Sequence, residues 1–370
     1  MDGLRACAFL LVFLFHTWEF AGAPDIPLVA AIVSQNTRPD FFVVLTGFVL
    51  FLPFARFSSR LAAFDIRIYL RRRLRRIVVP YYVALVVAVA MPQVLVALMR
   101  LLGQRADWQP GPSWGDWATH LSFTHIFFAE FWDGINGSLW TMSLEMQLYL
   151  IFPVVLWAYV RWGTRGLAGG LALSVAYRLL AGLAVDGSGF PMEFLVGANG
   201  LGRLGQFMAG IATALLVFRL PERESWRRPW VLVPIMATAY AVAVSPLASW
   251  SFTSIRELGL GMAFGSLIAL VLTSPSWGRF ASWRPLTWLG YRAYSLFLLH
   301  QPTMWYFSEM ATKFLHIENG VAKLLLLWTA GLGVLVVLTL PFFMWVEKPC
   351  IAWSKRARLT SDPAQASIAT

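Results

Sequence analysis

Residues 1–20 read MDGLRACAFLLVFLFHTWEF. An unbroken apolar run fills positions 6–15, with Arg5 ahead of it and His16 behind it. A helix needs about 20 residues to cross a bilayer's hydrocarbon, so a first membrane span is predicted over 6–22. His16 then lies well inside the span, where an ionisable side chain is costly and marks a functional candidate. Eleven residues separate Arg5 from His16. On a helix that is about 16 Å of rise, and the direction returns to within about 20°. The two therefore share one face at two depths, and a ligand lying along that face would touch both. The competing account is structural: His16 hydrogen-bonds between helices, and Arg5 sets orientation.

The rest of the chain repeats the apolar theme. Of 370 residues, 58% are hydrophobic and 13% are charged, about half the charged share of a soluble domain. Further spans are predicted near 40–55, 77–99, 139–160, 166–185, 201–218, 230–250, 258–274, 288–310 and 322–346. The fold class is an all-α polytopic membrane protein, a bundle of about ten transmembrane helices. Strands are excluded because no block alternates with period 2, and lipid-exposed backbone must satisfy its own hydrogen bonds. No repeat of 20–50 residues is present.

The net charge of +11 does not point to nucleic acid. With a cytoplasmic N-terminus, the inside loops hold 21 Lys and Arg and the outside loops six, with Arg178, Arg203 and Arg292 in or beside spans. This is the positive-inside asymmetry, so both termini are expected in the cytoplasm, at the cell's inner membrane, with lipid headgroups as partners of most loop arginines. Cys7 and Cys350 both fall on the inside, which supports neither a disulfide framework nor a cysteine metal site. A small-residue stretch at Ala21-Gly22-Ala23 resembles a signal cleavage site. The weak basic region, with Asp2 offsetting Arg5, favours an uncleaved span. The transmembrane domain is expected over 1–350, followed by a short disordered cytoplasmic tail at 351–370. The outer stretch 114–130 is expected to be an amphipathic helix anchored by aromatics.

Glu145 sits just inside span 4, with no Lys or Arg within a turn. A carboxyl there must be neutral or meet a cation from another helix. A His16–Glu145 pair would suit general base catalysis, and a structural ion pair is the alternative. His300 is a second histidine inside a span, expected to make an interhelical hydrogen bond. His120 and His125 have no zinc-site spacing, H-E-x-x-H is absent, and no metal is expected. The loop 56–76 carries eight arginines, among them Arg71, Arg72, Arg73, Arg75 and Arg76. Arginine suits bidentate phosphate contacts, so a phosphorylated co-substrate competes with lipid headgroups as their partner.

Together these elements resemble the membrane acyltransferase 3 family. Asp2-Gly3-Leu4-Arg5 with His16 is similar to its Arg-x10-His signature. Asp40-Phe41-Phe42-Val43-Val44-Leu45-Thr46-Gly47-Phe48 resembles D-x-F-F-V-L-S-G-F. The stretch ending Pro80-Tyr81-Tyr82 resembles R-x-x-R-I-x-P-x-Y. The run from Asn136 and Leu139 through Trp140, Ser143, Glu145 and Tyr149 to Pro153 resembles L-W-S-L-S-x-E-x-x-x-Y-x-x-x-P. Arg203-Leu204-Gly205-Gln206-Phe207 resembles R-L-x-x-F. The stretch from Leu289 to His300 resembles L-G-x-x-S-Y-x-x-Y-L-x-H, and Glu347-Lys348-Pro349 matches E-x-P. The seven elements run in family order over nearly the whole chain. Thr46 replaces the usual serine, Ala6 the usual glycine, and the span 9 serine and tyrosine are exchanged in order.

The resemblance implies an acyl-CoA-dependent O-acyltransferase in its stand-alone form, without a fused SGNH domain. It implies His16 as the base, Glu145 orienting His16 or the acceptor, and Arg5 with the arginines of 71–76 holding the phosphates of acyl-CoA, expected to be acetyl-CoA. Asp2, Asp40, Thr46, Tyr81, Asn136, Trp140, Ser143, Tyr149, Arg203 and His300 are further pocket candidates. The acceptor is expected to be a hydroxyl of a cell-envelope carbohydrate or lipid-linked sugar. A small natural product such as a macrolide is the alternative. A transporter or flippase with a His/Glu relay ranks third, because no pseudo-symmetric halves are visible.

Overall fold

A computed structural model describes residues 1–27, 29, 33, 38–57, 61, 63–105, 107, 108, 110–220, 225–248 and 254–356. Each predicted span overlaps a long helix, the ninth one only in part. They are α1 (Asp2–Phe20), α2 (Arg38–Arg56), α3 (Ile66–Leu101), α5 (Trp140–Trp162), α6 (Thr164–Val185), α8 (Leu204–Arg219), α9 (Pro229–Val244), α10 (Ile255–Thr273), α13 (Ala293–Leu315) and α14 (Gly320–Arg356). Short helices fill the connections: α4 (Trp114–Leu121), α7 (Met192–Ala198), α11 (Pro275–Ala281) and α12 (Arg284–Tyr291). Among the described residues there is no strand. Among the described residues, seven helices are long and apolar enough to cross a membrane: α1, α2, α3, α5, α6, α10 and α14. The protein is an all-α polytopic membrane protein. Of the other three, α8 and α9 have 16 residues each, and α13 has 23, with a more polar sequence.

Lipid gives no hydrophobic drive between helices, so close backbone packing must hold them together. The α2–α8 contact shows it. A Cβ built on Gly210 would lie 2.0 Å from the Val44 carbonyl oxygen, and one on Gly47 would lie 2.2 Å from that of Phe207. Only glycine at both positions allows this approach.

Four expectations change. The arginine run is not loop: α3 begins at Ile66 and carries Arg71–Arg76 in its first three turns. Asp65 caps it, its Oδ1 accepting from the Arg67 and Ile68 amides at 2.7 and 3.1 Å, and arginine is a good helix former. At 36 residues α3 is about 54 Å long, well beyond the roughly 30 Å of hydrocarbon. The predicted ninth span breaks at Arg292 into α12 and α13. There Gly290 lets α12 meet the α1 backbone, since a Cβ would lie 1.7 Å from the Asp2 oxygen. The outer helix stops at Leu121, with a 3-10 turn at His125–Phe127. Finally, α14 continues to Arg356, into the segment expected to be tail; positions 357–370 lie outside the described residues.

Helix α14 carries two π segments, Leu327–Gly331 and Phe343–Glu347. Its last turns pack on the start of α3, where Arg75 stacks over Trp353 at 4.7 Å. The start of α1, the start of α3 and the close of α14 therefore lie at one end of the bundle.

Candidate active site

A cavity of about 940 Å³ runs between α1, α2, α3, α5, α13 and α14. One end is basic. Arg5 from α1, Arg73 and Arg76 from α3, and Lys355 from α14 line it, with the carboxylates Asp2, Glu145 and Glu347. Arg5 Nη1 is 2.7 Å from Asp2 Oδ1. The other end is lined by His16, Glu19, Asp133, Ser138 and Gln301 among the aromatics Phe20, Trp132, Trp140, Phe194 and Trp305. All four cations that line the cavity are at the first end. The shared face of Arg5 and His16 is thus a wall of one continuous space.

His16 is held on several sides. Its Nδ1 lies 3.0 Å from Glu19 Oε2, the geometry in which an Nδ1–H donates to the carboxylate. The Phe20 ring stacks on it at 5.8 Å, and the His300 ring lies 5.2 Å away. His300 is fully buried, its Nδ1 donating to the Phe297 carbonyl at 2.5 Å. It stands behind His16 rather than on the cavity wall.

The carboxylate against His16 is therefore Glu19, not Glu145. Glu145 accepts a hydrogen bond from the Tyr149 hydroxyl, and the cations acting on it are Arg73, Arg76 and Arg5. Arg73 also stacks over the Tyr149 ring at 5.3 Å. Glu347 accepts from the Ser295 amide at 3.1 Å and from its hydroxyl. Glu145 and Glu347 line the cavity beside the arginines of the basic end.

The structure brings Asp2, Arg5, His16, Thr46, Arg73, Arg76, Trp140, Glu145 and Tyr149 to the cavity wall. It places the other candidates elsewhere. Exposed Arg71 lies off the cavity wall, as do Arg72 and Arg75. Tyr81 is buried, donating to the His120 carbonyl at 3.1 Å. Asn136 Oδ1 accepts from the Ser138 amide and hydroxyl at 3.0 and 2.8 Å, shaping the turn that presents Ser138. Ser143 bonds the Phe123 carbonyl. Asp40 and Arg203 belong to a separate buried charge network. Arg203 Nη1 donates to Asp40 Oδ1, Gln206 Nε2 donates to the same oxygen at 2.6 Å, and Glu257 lies 3.1 Å from Arg178 and 3.6 Å from Arg203. Sequence reasoning missed Glu19, Gln301, Glu347 and Lys355. Of these, Glu19 had a readable signal, because positions i and i+3 share a helix face.

Outside the spans, His120 and His125 stack with ring centroids 4.1 Å apart and planes 1° from parallel. His120 Nδ1 donates to the Asp116 carbonyl and His125 Nε2 to that of Leu139. Burial, with the neighbouring His120, pushes His125 down to about 4, and burial lowers His120 as well. The unfolded chain takes up these protons near pH 6.5. Between about 4 and 6.5 it binds more protons than the folded protein, so stability falls as pH drops through that window, by up to roughly 3 kcal/mol for His125. His125→Gln keeps a donor for Leu139 and loses the titration. Thermal melting at pH 7 and pH 5 should show a smaller acid loss for His125→Gln than for the unaltered protein; equal losses would contradict this account.

A helical membrane bundle thus encloses a cavity with arginines at one end and His16, held by Glu19, at the other. Comparison with known families makes this specific. Residues 1–346 match the model of the acyltransferase family described as "Acyltransferase domain". The chain belongs to that family. It is also 25% identical over 382 aligned positions to a Bacillus subtilis (strain 168) protein named "Putative peptidoglycan O-acetyltransferase YrhL". That match covers 94% of this chain and 54% of the relative, so the chain spans about half the relative's length. No solved structure matches the chain.

Proposed function

We propose that the protein transfers an acyl group, acetyl in the first instance, from acyl-CoA to a hydroxyl of a cell-envelope carbohydrate. The single observation that carries this is the cavity that joins Arg5, Arg73 and Arg76 to the His16–Glu19 pair. The name of the Bacillus relative supports the carbohydrate acceptor. The basic end faces the cytoplasm, where acyl-CoA is made and where the excess of loop arginines belongs.

In this mechanism the arginines and Lys355 take the phosphates of the donor, and the acyl arm runs along the α1 face toward His16. His16 Nε2 removes the acceptor's hydroxyl proton as the oxygen attacks the thioester carbonyl carbon. The tetrahedral intermediate collapses, the C–S bond breaks, and His16 returns the proton to the departing thiolate. Glu19 fixes the tautomer and stabilises the imidazolium that forms, the part a carboxylate plays in other acyl-transfer sites.

The donor assignment has an internal control. Arg73 and Arg76 line the cavity, whereas exposed Arg71, on the same helix, does not. Charge-assisted hydrogen bonds contribute about 1.5–3 kcal/mol, so Arg73→Gln or Arg76→Gln should raise the KM for acetyl-CoA about tenfold or more. Arg71→Gln should leave it unchanged. Equal effects at all three positions would return these arginines to the role of topology and lipid contact.

A further inference from the structure

We propose that the end of the cavity opposite the arginines is a subsite for a neutral or amino-bearing sugar ring, with Trp132, Phe194 and Trp305 as its apolar walls. Glu19, Asp133 and Gln301 receive the hydroxyls. This rests on the acyltransferase reading and adds to it where the acceptor sits and which acceptors are refused.

Three observations carry the proposal. First, aromatics whose other faces pack on the core line this end of the cavity. Trp132 and Phe194 line it with ring centroids 5.3 Å apart, and Trp140 meets Phe194 edge-on at 5.0 Å. Trp305 meets Phe20 edge-on at 5.3 Å and remains 49% exposed. An interfacial aromatic belt would face lipid; these rings line a cavity that also holds His16. Second, the polar groups are grouped among them. A Cβ on Gly137 would lie 3.1 Å from Gln301 Nε2 and 3.6 Å from Asp133 Cβ, so both side chains flank that turn. The Ser138 amide donates to Gln301 Oε1, which fixes the amide and leaves its NH2 end to donate. Third, this end is lined by Glu19 and Asp133 and by no Lys or Arg among the described residues.

A sugar ring presents C–H faces that pack on the electron-rich faces of aromatic rings, and a rim of hydroxyls that carboxylates and amides bind. The same carboxylates repel a phosphorylated or carboxylated acceptor. Glu19 serves both parts of the site. One oxygen holds His16, and the carboxylate borders the space where the reacting hydroxyl must stand.

The test uses the purified full-length protein, acetyl-CoA, and an N-acetylglucosamine tetramer as the acceptor probe. The KM for each substrate is measured for Trp132→Ala, Trp132→Phe and Trp305→Ala. Binding of the tetramer without donor is followed by calorimetry. We expect the acceptor KM to rise about tenfold or more in both alanine variants, the acetyl-CoA KM to stay unchanged, and Trp132→Phe to keep most of the affinity. A 6-phosphorylated sugar should compete poorly. An acceptor KM that is unchanged in Trp305→Ala, where the ring is 49% exposed, would overturn the subsite and leave the acyltransferase reading standing. Tetramer binding that depends on Trp132 and Trp305, with no ester formed by the unaltered protein, would keep the subsite and overturn that reading.

Discussion

His16→Ala should lower kcat for ester formation by about a hundred- to ten-thousandfold, the range for removing a positioned general base. The KM for acyl-CoA should change little, because the groups assigned to the donor's phosphates are at the far end of the cavity. The fold should survive, since His16 borders the cavity, its side chain 14% exposed, and is not packed in the core. Glu19→Gln should lose less, about tenfold to a hundredfold, because glutamine still accepts from Nδ1 but no longer balances the imidazolium. Turnover of purified His16→Ala within threefold or so of normal would remove His16 from the mechanism. A Glu19→Gln loss confined to KM would make Glu19 a binding group only.

The second large effect concerns stability. Asp40, Arg178, Arg203 and Glu257 form a buried network of two cations and two carboxylates, joining α2, α6, α8 and α10. Glu257→Ala leaves two buried cations and one carboxylate. Breaking a buried pair from one side costs about 3–5 kcal/mol, because the remaining charge stays desolvated. The variant should melt far lower in detergent or fail to accumulate. Combining it with Arg178→Met restores neutrality and should recover most of the loss, since apolar replacement of a whole pair is often neutral. Unchanged melting of Glu257→Ala would mean that the network does not hold the four helices.

The helices were legible because lipid allows a spanning segment little freedom: apolar blocks must become helices that satisfy their own backbone. The Arg5–His16 face was legible because 3.6-residue geometry is rigid over three turns. What stayed hidden has physical causes. Asp40 meets Arg203 across 163 residues of chain, and no spacing rule reaches that far. The arginine run reads as loop by hydropathy, whereas the Asp65 cap and helix propensity make it helix, and only a helix presents Arg73 and Arg76 while turning Arg71 away. Glu347 ends a π segment, which shifts the helical face that a 3.6-residue period predicts. Glu19 was missed although it stands one turn from His16 in the opening stretch, because an acidic residue near a span's end reads as a water-facing boundary.

In the proposed mechanism one cavity joins a cytoplasmic thioester to an acceptor hydroxyl at His16. The most direct test follows purified protein with acetyl-labelled acetyl-CoA and a hydroxylated oligosaccharide, scoring labelled ester and free coenzyme A thiol in the same reaction. The two should appear one for one, and both should vanish in His16→Ala. Thiol release without ester, or ester formation that persists in His16→Ala, would contradict this mechanism.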